Sequence, residues 1–305
     1  MAAAVVATPA VKPRVNGIAV IAVSSVFFGF IAVLTRLLAG QVPAAQVAAV
    51  RFAVGIVGCG VLFAWKRRLP NLSQGRLLSL RGLFGGVAVV TYFFAIERLG
   101  AAPATVLNYS SPIYAAAFAA WFLKETSTSL RRVGLLVATS GAVTVAFSTG
   151  SSANPFIPDL GAVAGVLSAI TGGAAMTVIR KLRDDTDAIT VFLAFCTGGL
   201  VVSVPLAVPG WVAMSPFALG ICLSIGVLSV VAQLLFTWGM GFTSATAGSA
   251  TTQLVPAVAW ALALGWLNEP VTFLGVVGAL LCVSGVLLGV VPWRELMPGR
   301  RSTGP

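Results

Sequence analysis

Histidine is absent from this chain, and acidic residues are few: 8 Asp and Glu stand against 19 Lys and Arg in 305 residues. Charged residues make up 9% of the total, where a soluble domain carries roughly 25%. A surface facing water cannot be covered with so few charges, so lipid must be the solvent for most of the protein. Without histidine there is no His/Cys metal site. The four cysteines, Cys59, Cys196, Cys222 and Cys282, lie in apolar runs with no C-x-x-C spacing and read as small packing residues. No metal or cofactor is expected. The phosphate-cradling G-x-x-x-x-G-K-[ST] pattern is also missing, so nothing points to ATP hydrolysis by this chain. Nor does any Asp or Glu lie near the middle of an apolar segment: Glu97, Glu125 and Glu269 stand at segment ends, and Asp184, Asp185 and Asp187 in a loop. An intramembrane enzyme would want a histidine, an Asp pair or a Ser-Lys dyad, so the chain is read as not an enzyme. A sensor would want a soluble output domain, which the chain does not offer. A carrier of lipophilic cations would want a buried carboxylate. Proton coupling is left open, with no evident carrier residue.

What the sequence has instead is hydrophobicity, at 58% of residues and a mean hydropathy of +1.00. A membrane-crossing helix needs about 20 mostly apolar residues. The candidates are 16–38, 44–64, 82–99, 103–123, 133–149, 160–179, 188–207, 217–240, 245–267 and 271–291. Lys12 and Arg14 precede a first span too long for a signal segment, which is therefore read as uncleaved. The surplus of basic residues sits between spans, as at Lys66-Arg67-Arg68, Arg76, Arg81, Arg131-Arg132 and Arg180-Lys181. That is the positive-inside pattern and not a nucleic-acid stripe, so nucleic acid is excluded as a partner. With the N-terminus in the cytoplasm, sixteen of the nineteen basic residues fall inside, leaving Arg36, Arg51 and Arg98. Both termini are expected in the cytoplasm, and the basic tail near anionic headgroups.

The chain also matches itself. An offset of 144 residues pairs Pro112 with Pro256, Gly17 with Gly161, Ser24 with Ser168, Gly29 with Gly173 and Arg36 with Arg180. It pairs Glu125 with Glu269, Gly134 with Gly278, Ser140 with Ser284 and Gly141 with Gly285, with no gap. Each copy holds five spans, an odd number, so the second must enter the membrane from the opposite side. The expected fold is therefore all-α and integral to the membrane, with ten transmembrane helices as two inverted five-helix repeats. Its parts are a cytoplasmic N-terminal segment (1–15), a first repeat (16–149), an outer linker (150–159), a second repeat (160–292) and a cytoplasmic tail (293–305). The small-residue pairs Gly82 and Gly86, Gly161 and Gly165, and Gly285 and Gly289 are expected to pack helices within the monomer. Whether the chain is a monomer or a homodimer is open.

Ten spans in two copies, Arg51-Phe52 early in span two, and Pro-broken fourth and ninth spans ending in Lys124-Glu125 and Asn268-Glu269 resemble the EamA family of the drug/metabolite transporter superfamily. The resemblance covers roughly 15–292. It implies a ten-helix basket with spans 3–4 and 8–9 lining a central cavity, in a bacterial plasma membrane. Many bacterial relatives export amino acids or related metabolites, so transport of a small metabolite, outward, is what the resemblance implies.

Pro-interrupted segments in matching places of two halves mark a transporter's binding region. Span four supplies Asn108, Tyr109, Ser110, Ser111 and Pro112; span nine supplies Thr251, Thr252, Gln253 and Pro256. A proline inside a helix frees a carbonyl one turn earlier, so these polar groups either bind solute or satisfy the backbone. Short turns at Leu99 to Pro103 and Gly241 to Ser244 should bring Tyr92, Gln233 and Trp238 near them. A Tyr or Trp near a span end also suits an interfacial anchor. Arg51 lies about 10 Å into span two at 1.5 Å per residue. It either holds a substrate carboxylate or snorkels to the outer headgroups, with Glu97 as its acidic partner. Its match in the other copy is Phe195. Ser24, Phe27, Phe28, Ser168, Thr171 and Gly172 are weaker candidates, because such hydroxyls often bond to the preceding turn. Neutral or zwitterionic metabolites fit hydroxyls, amides and rings best. Phosphorylated metabolites or nucleotide sugars are the alternative cargo and would want several basic residues in the cavity.

Overall fold

A computed structural model describes residues 16–122, 129–148, 159–182, 185–239, 242, 251–267 and 272–290. Among these, every regular element is helical: α1 (Gly17–Leu37), α2 (Ala44–Lys66), α3 (Gly75–Leu99), α4 (Ala101–Asn108), α5 (Ser111–Phe122), α6 (Ser129–Ser148), α7 (Leu160–Leu182), α8 (Ala188–Ala207), α9 (Pro216–Gly239), α10 (Leu254–Leu262) and α11 (Phe273–Val290). By length and hydropathy α1, α2, α3, α7, α8 and α9 can each cross a membrane. The Lys124-Glu125 and Asn268-Glu269 segment ends, the Thr243-Ser244 turn and both basic termini lie outside the described residues.

Local chemistry sets the helix ends. Asn16 caps α1, its Oδ1 accepting from the amides of Ile18 and Ala19 at 3.1 and 3.3 Å. Asp187 caps α8 in the same way, through Ile189 and Thr190 at 3.0 and 3.2 Å. These side chains satisfy amides that have no partner in the first turn. A single residue, Gly100, joins α3 to α4. Its φ of 97° lies where only glycine is free of strain, and it makes the α3–α4 connection a tight hairpin.

The fourth span differs from expectation. It is two helices, α4 and α5, separated by Tyr109 and Ser110. Pro112 is the second residue of α5 and Pro256 the third of α10. In a first turn the missing N–H removes no helical bond. Each proline therefore begins a new helix after a break, where a mid-helix kink had been expected.

The duplication is written into the packing. α1 packs on α9 and, in the exchanged sense, α3 on α7; α2 packs on its own counterpart α8, and α6 on its counterpart α11. The matched glycines make matched contacts. A Cβ on Gly29 would strike Val258 and Ala259, and one on Gly173 would strike Tyr114 and Ala115, which are the same positions in the other copy. Gly141 abuts Gly278 and Cys282, while Gly285 abuts Gly134 and Ala138. Hydrogen bonds follow the same rule. The Ser24 hydroxyl donates to Ala232 O at 2.8 Å, and the Ser168 hydroxyl lies 2.8 Å from Ala88 O. Both bonds cross to the other copy, where bonds to the preceding turn had been expected; Thr171 alone of the three bonds backwards, to Leu167 O at 2.7 Å. Reciprocal contacts of this kind are those of a two-fold relation.

Between α3 and α8 the backbones touch through glycine. A Cβ on Gly82 would sit 2.6 Å from Ala194 O, and Gly86 faces Gly198 and Gly199. Gly161 and Gly165 receive Arg98, Leu99 and Leu107 from the other copy. In lipid, where apolar side chains gain little by leaving their solvent, such close approach is the main source of helix attraction. Gly198→Val should therefore destabilise the purified chain by about 2 kcal/mol or more through overpacking. Gly220→Ala, where a Cβ meets nothing, should leave stability unchanged or slightly raised. Thermal unfolding midpoints of the two variants in detergent check this.

Candidate functional site

A cavity of about 170 Å³ lies where the two copies meet, lined from α1, α2, α3, α7, α8, α9 and the breaks beside α4, α5 and α10. Polar groups reach it from Asn108, Tyr109 and Ser111 of the first break, Thr252 of the second, Tyr92 of α3 and Gln233 of α9. Phe28, Phe93, Phe195 and Phe236 give it aromatic walls. Tyr92 is fixed by a 2.7 Å bond between its hydroxyl and Thr105, whose own proton goes to Ala101 O; this ties α3 to α4 across the hairpin. Ser168 Oγ lies 2.6 Å from Asn108 Oδ1, so a side chain of the second copy holds an amide of the first.

The other candidates have different surroundings. Ser110 is buried and donates to Leu107 O at 2.7 Å. Gln253 Nε2 donates to Tyr109 O at 3.1 Å. Both satisfy backbone exposed by the first break, the bond-healing alternative raised above. Pro112 and Pro256 are buried starts of helices, and Thr251 stands half-buried beside Thr252. Trp238 is 50% exposed and stacks edge-on against Phe242 at 5.3 Å, away from the cavity.

Arg51 does not snorkel. It is 6% exposed, lines the cavity, and donates through Nε to Ser229 Oγ at 2.7 Å. Nor is Glu97 its partner. Glu97 Oε2 accepts from the Ala44 amide at 3.0 Å, at the start of α2, where Pro43 offers no side-chain cap. The Glu97 carbonyl in turn takes a 2.7 Å bond from Arg36 Nη1. An acid at a helix end is drawn to unpaired first-turn amides, which leaves Arg51 without a carboxylate. Its guanidinium lies 5.1, 5.7 and 5.4 Å from the ring centroids of Phe52, Phe93 and Phe195.

The residue that sequence reasoning misplaced is Arg81. Counted above with the loop cations, it instead belongs to α3, which begins seven residues before the expected span, at Gly75. Arg81 is 4% exposed, lines the same cavity and lies 4.2 Å from the Phe195 centroid. A periodicity could have found it: Arg81, Gly85, Ala88 and Tyr92 follow helical spacing on one face of α3, and all four line the cavity. Gly85 makes room for it, since a Cβ there would collide with Arg81 Nη1 and the Phe195 ring. Arg51 Nη1 and Arg81 Nε are buried without a hydrogen-bond partner among the described residues. Burying an unpaired cation costs several kcal/mol even after relaxation, and a desolvated ring face returns about 2 kcal/mol. Gly85→Ala should displace the Arg81 guanidinium and lower the unfolding midpoint, by about 1–3 kcal/mol of overpacking. Combined Gly85→Ala and Arg81→Ala should recover most of that loss. A double-mutant cycle of unfolding midpoints checks the coupling.

Comparison with known proteins agrees with this architecture. The model of the EamA-like transporter family matches the chain twice, over residues 15–147 and 159–291. The chain is 27% identical to the pseudopaline exporter CntI of Pseudomonas aeruginosa over 273 residues, covering 88% of this chain and 93% of that one. It is 30% identical to an uncharacterized transporter of Helicobacter pylori, covering 73% and 77%. It is 26% identical to the uncharacterized inner membrane transporter YhbE of Escherichia coli, covering 80% and 81%. A crystal structure at 17% identity superposes with a TM-score of 0.63 over 90% of this chain and 98% of the other, a likeness of fold. The chain therefore belongs to the EamA-like transporter family and is a multi-pass membrane transporter.

Proposed function

We propose that this protein is a secondary transporter that moves small metabolites, amino acids among them, by alternating access, and moves them outward. The carrying observation is the cavity at the seam of two copies whose contacts exchange pairwise. If one copy can tilt in two ways, exchanging the tilts closes the cavity to one side and opens it to the other. Asn108, Tyr109, Gln233 and Thr252 supply hydrogen-bonding groups, Arg51 a site for a carboxylate, and the phenylalanines a surface for an apolar portion. The exporter named among the relatives supports the outward direction. We place the protein in a bacterial plasma membrane with both termini in the cytoplasm, on the distribution of basic residues.

The test is flux. Vesicles reconstituted with the full chain and loaded with an amino-acid panel should release at least one member faster than empty vesicles. Asn108→Ala and Gln233→Ala should slow that flux about fivefold each, the equivalent of one lost hydrogen bond of roughly 1 kcal/mol. Trp238→Ala should leave it unchanged. Absence of flux for every small solute tried would remove the transport reading.

A further inference from the structure

The charge balance of the cavity says more about the cargo. Two guanidiniums, from Arg51 and Arg81, line one cavity, and no Asp or Glu stands among the described lining residues. Both are more than nine-tenths buried. Each keeps an N–H without a partner: Nη1 of Arg51 and Nε of Arg81. They approach the same ring from different helices, at 5.4 and 4.2 Å from the Phe195 centroid. They also enter from opposite ends of the fold. Arg51 is the eighth residue of α2 and Arg81 the seventh of α3, the next helix, which α2 packs against. The start of α5 opens on the same space at Ser111, and a helix start favours negative charge.

Structural ion pairs bring their own counter-charge. This pair has none among the described residues around it, and its fixed N–H forks match carboxylate and phosphate oxygens. We propose that the cavity takes a solute bearing two anionic groups, carboxylate or phosphate, one received by Arg51 and the other by Arg81. An acidic amino acid or a dicarboxylate satisfies both cations at once, whereas a neutral amino acid leaves one bare. Both guanidiniums border the Phe195 ring, which therefore shapes the space next to both anion positions. The proposal rests on reading this cavity as the cargo site, and narrows the cargo to the anionic members of the class named above.

The experiment measures binding and flux separately on the purified full chain. Binding is read from the shift of the thermal midpoint with glutarate, with butyrate (one carboxylate), with glutaramide (the uncharged diamide of the same length), with 1,3-propanediol bisphosphate (two phosphates), and with sodium chloride alone. Glutarate or 1,3-propanediol bisphosphate should stabilise at concentrations at least about tenfold below butyrate, glutaramide should do nothing, and the better of the first two identifies carboxylate or phosphate. Arg81→Gln should abolish the preference for two charges over one, Arg81→Lys should retain most of it, and Arg81→Gln without ligand should unfold no earlier than the wild type. Equal stabilisation by glutaramide and glutarate, or the whole effect from chloride alone, overturns the proposal. So does an unchanged preference in Arg81→Gln. Should that variant fail to fold, the ligand series on the wild type still decides. Counterflow of labelled glutarate in vesicles then tests the other reading: binding without counterflow leaves the anion site standing and removes transport. Rapid flux of neutral amino acids that glutarate does not inhibit keeps transport and removes the anion site.

Discussion

Hydrocarbon offers no hydrogen bonds, and this one property of the solvent organises the molecule. Every polar group inside a span must find its partner in the protein or be left at a cost of several kcal/mol. Most do so locally, as Thr35 does with Ile31 O and Thr171 with Leu167 O. A smaller set reaches across the seam between the copies: Ser24 to Ala232, Ser168 to Ala88 and Asn108, and Gln253 to Tyr109. These bonds fix how the halves face one another. Against that background of satisfied groups, three buried side-chain atoms have no partner among the described residues: Thr186 Oγ1 and the nitrogens of Arg51 and Arg81, of which only the two arginines line the cavity.

The same solvent explains the glycines. Because lipid gives apolar side chains little reason to associate, the helices are held by contact at short range, and short range needs missing side chains. Gly55 receives Cys196, and its counterpart Gly199 receives Phe52, the residue that matches Cys196 in the other copy. The site of contact has been kept while the residue filling it has changed from a thiol to a ring. The Phe52 ring in turn meets Phe195 edge-on at 5.2 Å, beside the Arg51 guanidinium. The contact of Gly82 with Gly198 has likewise become one of Gly226 with Val54 in the other copy.

Much of this was legible in the residues. Hydropathy located the long helices, and the offset of 144 paired glycines that prove to share a role, because helix contact depends on a local feature that sequence displays. Asn108, Tyr109, Ser111 and Thr252, singled out by their clustering near breaks, Tyr92 and Gln233, by the short turns, and Arg51, by its charge within a span, all border one cavity. What was not legible depended on direction. Arg81 follows Arg76 in a polar stretch, and hydropathy counts both as loop, although an early start of α3 turns one of them inward. Trp238 belongs to the helix that carries Gln233 but points the other way. The pairing of Glu97 with the start of α2 could not be anticipated from separation along the chain, since its partner is a backbone amide 53 residues away.

Tyr109 and Gln253 occupy equivalent positions in the two copies, and a hydrogen bond joins them. A bond between equivalent points must straddle the axis that relates the halves. It belongs equally to both halves, as a keystone belongs to both sides of an arch. The two breaks thus meet on the line that the halves share, next to the cavity that both of them line.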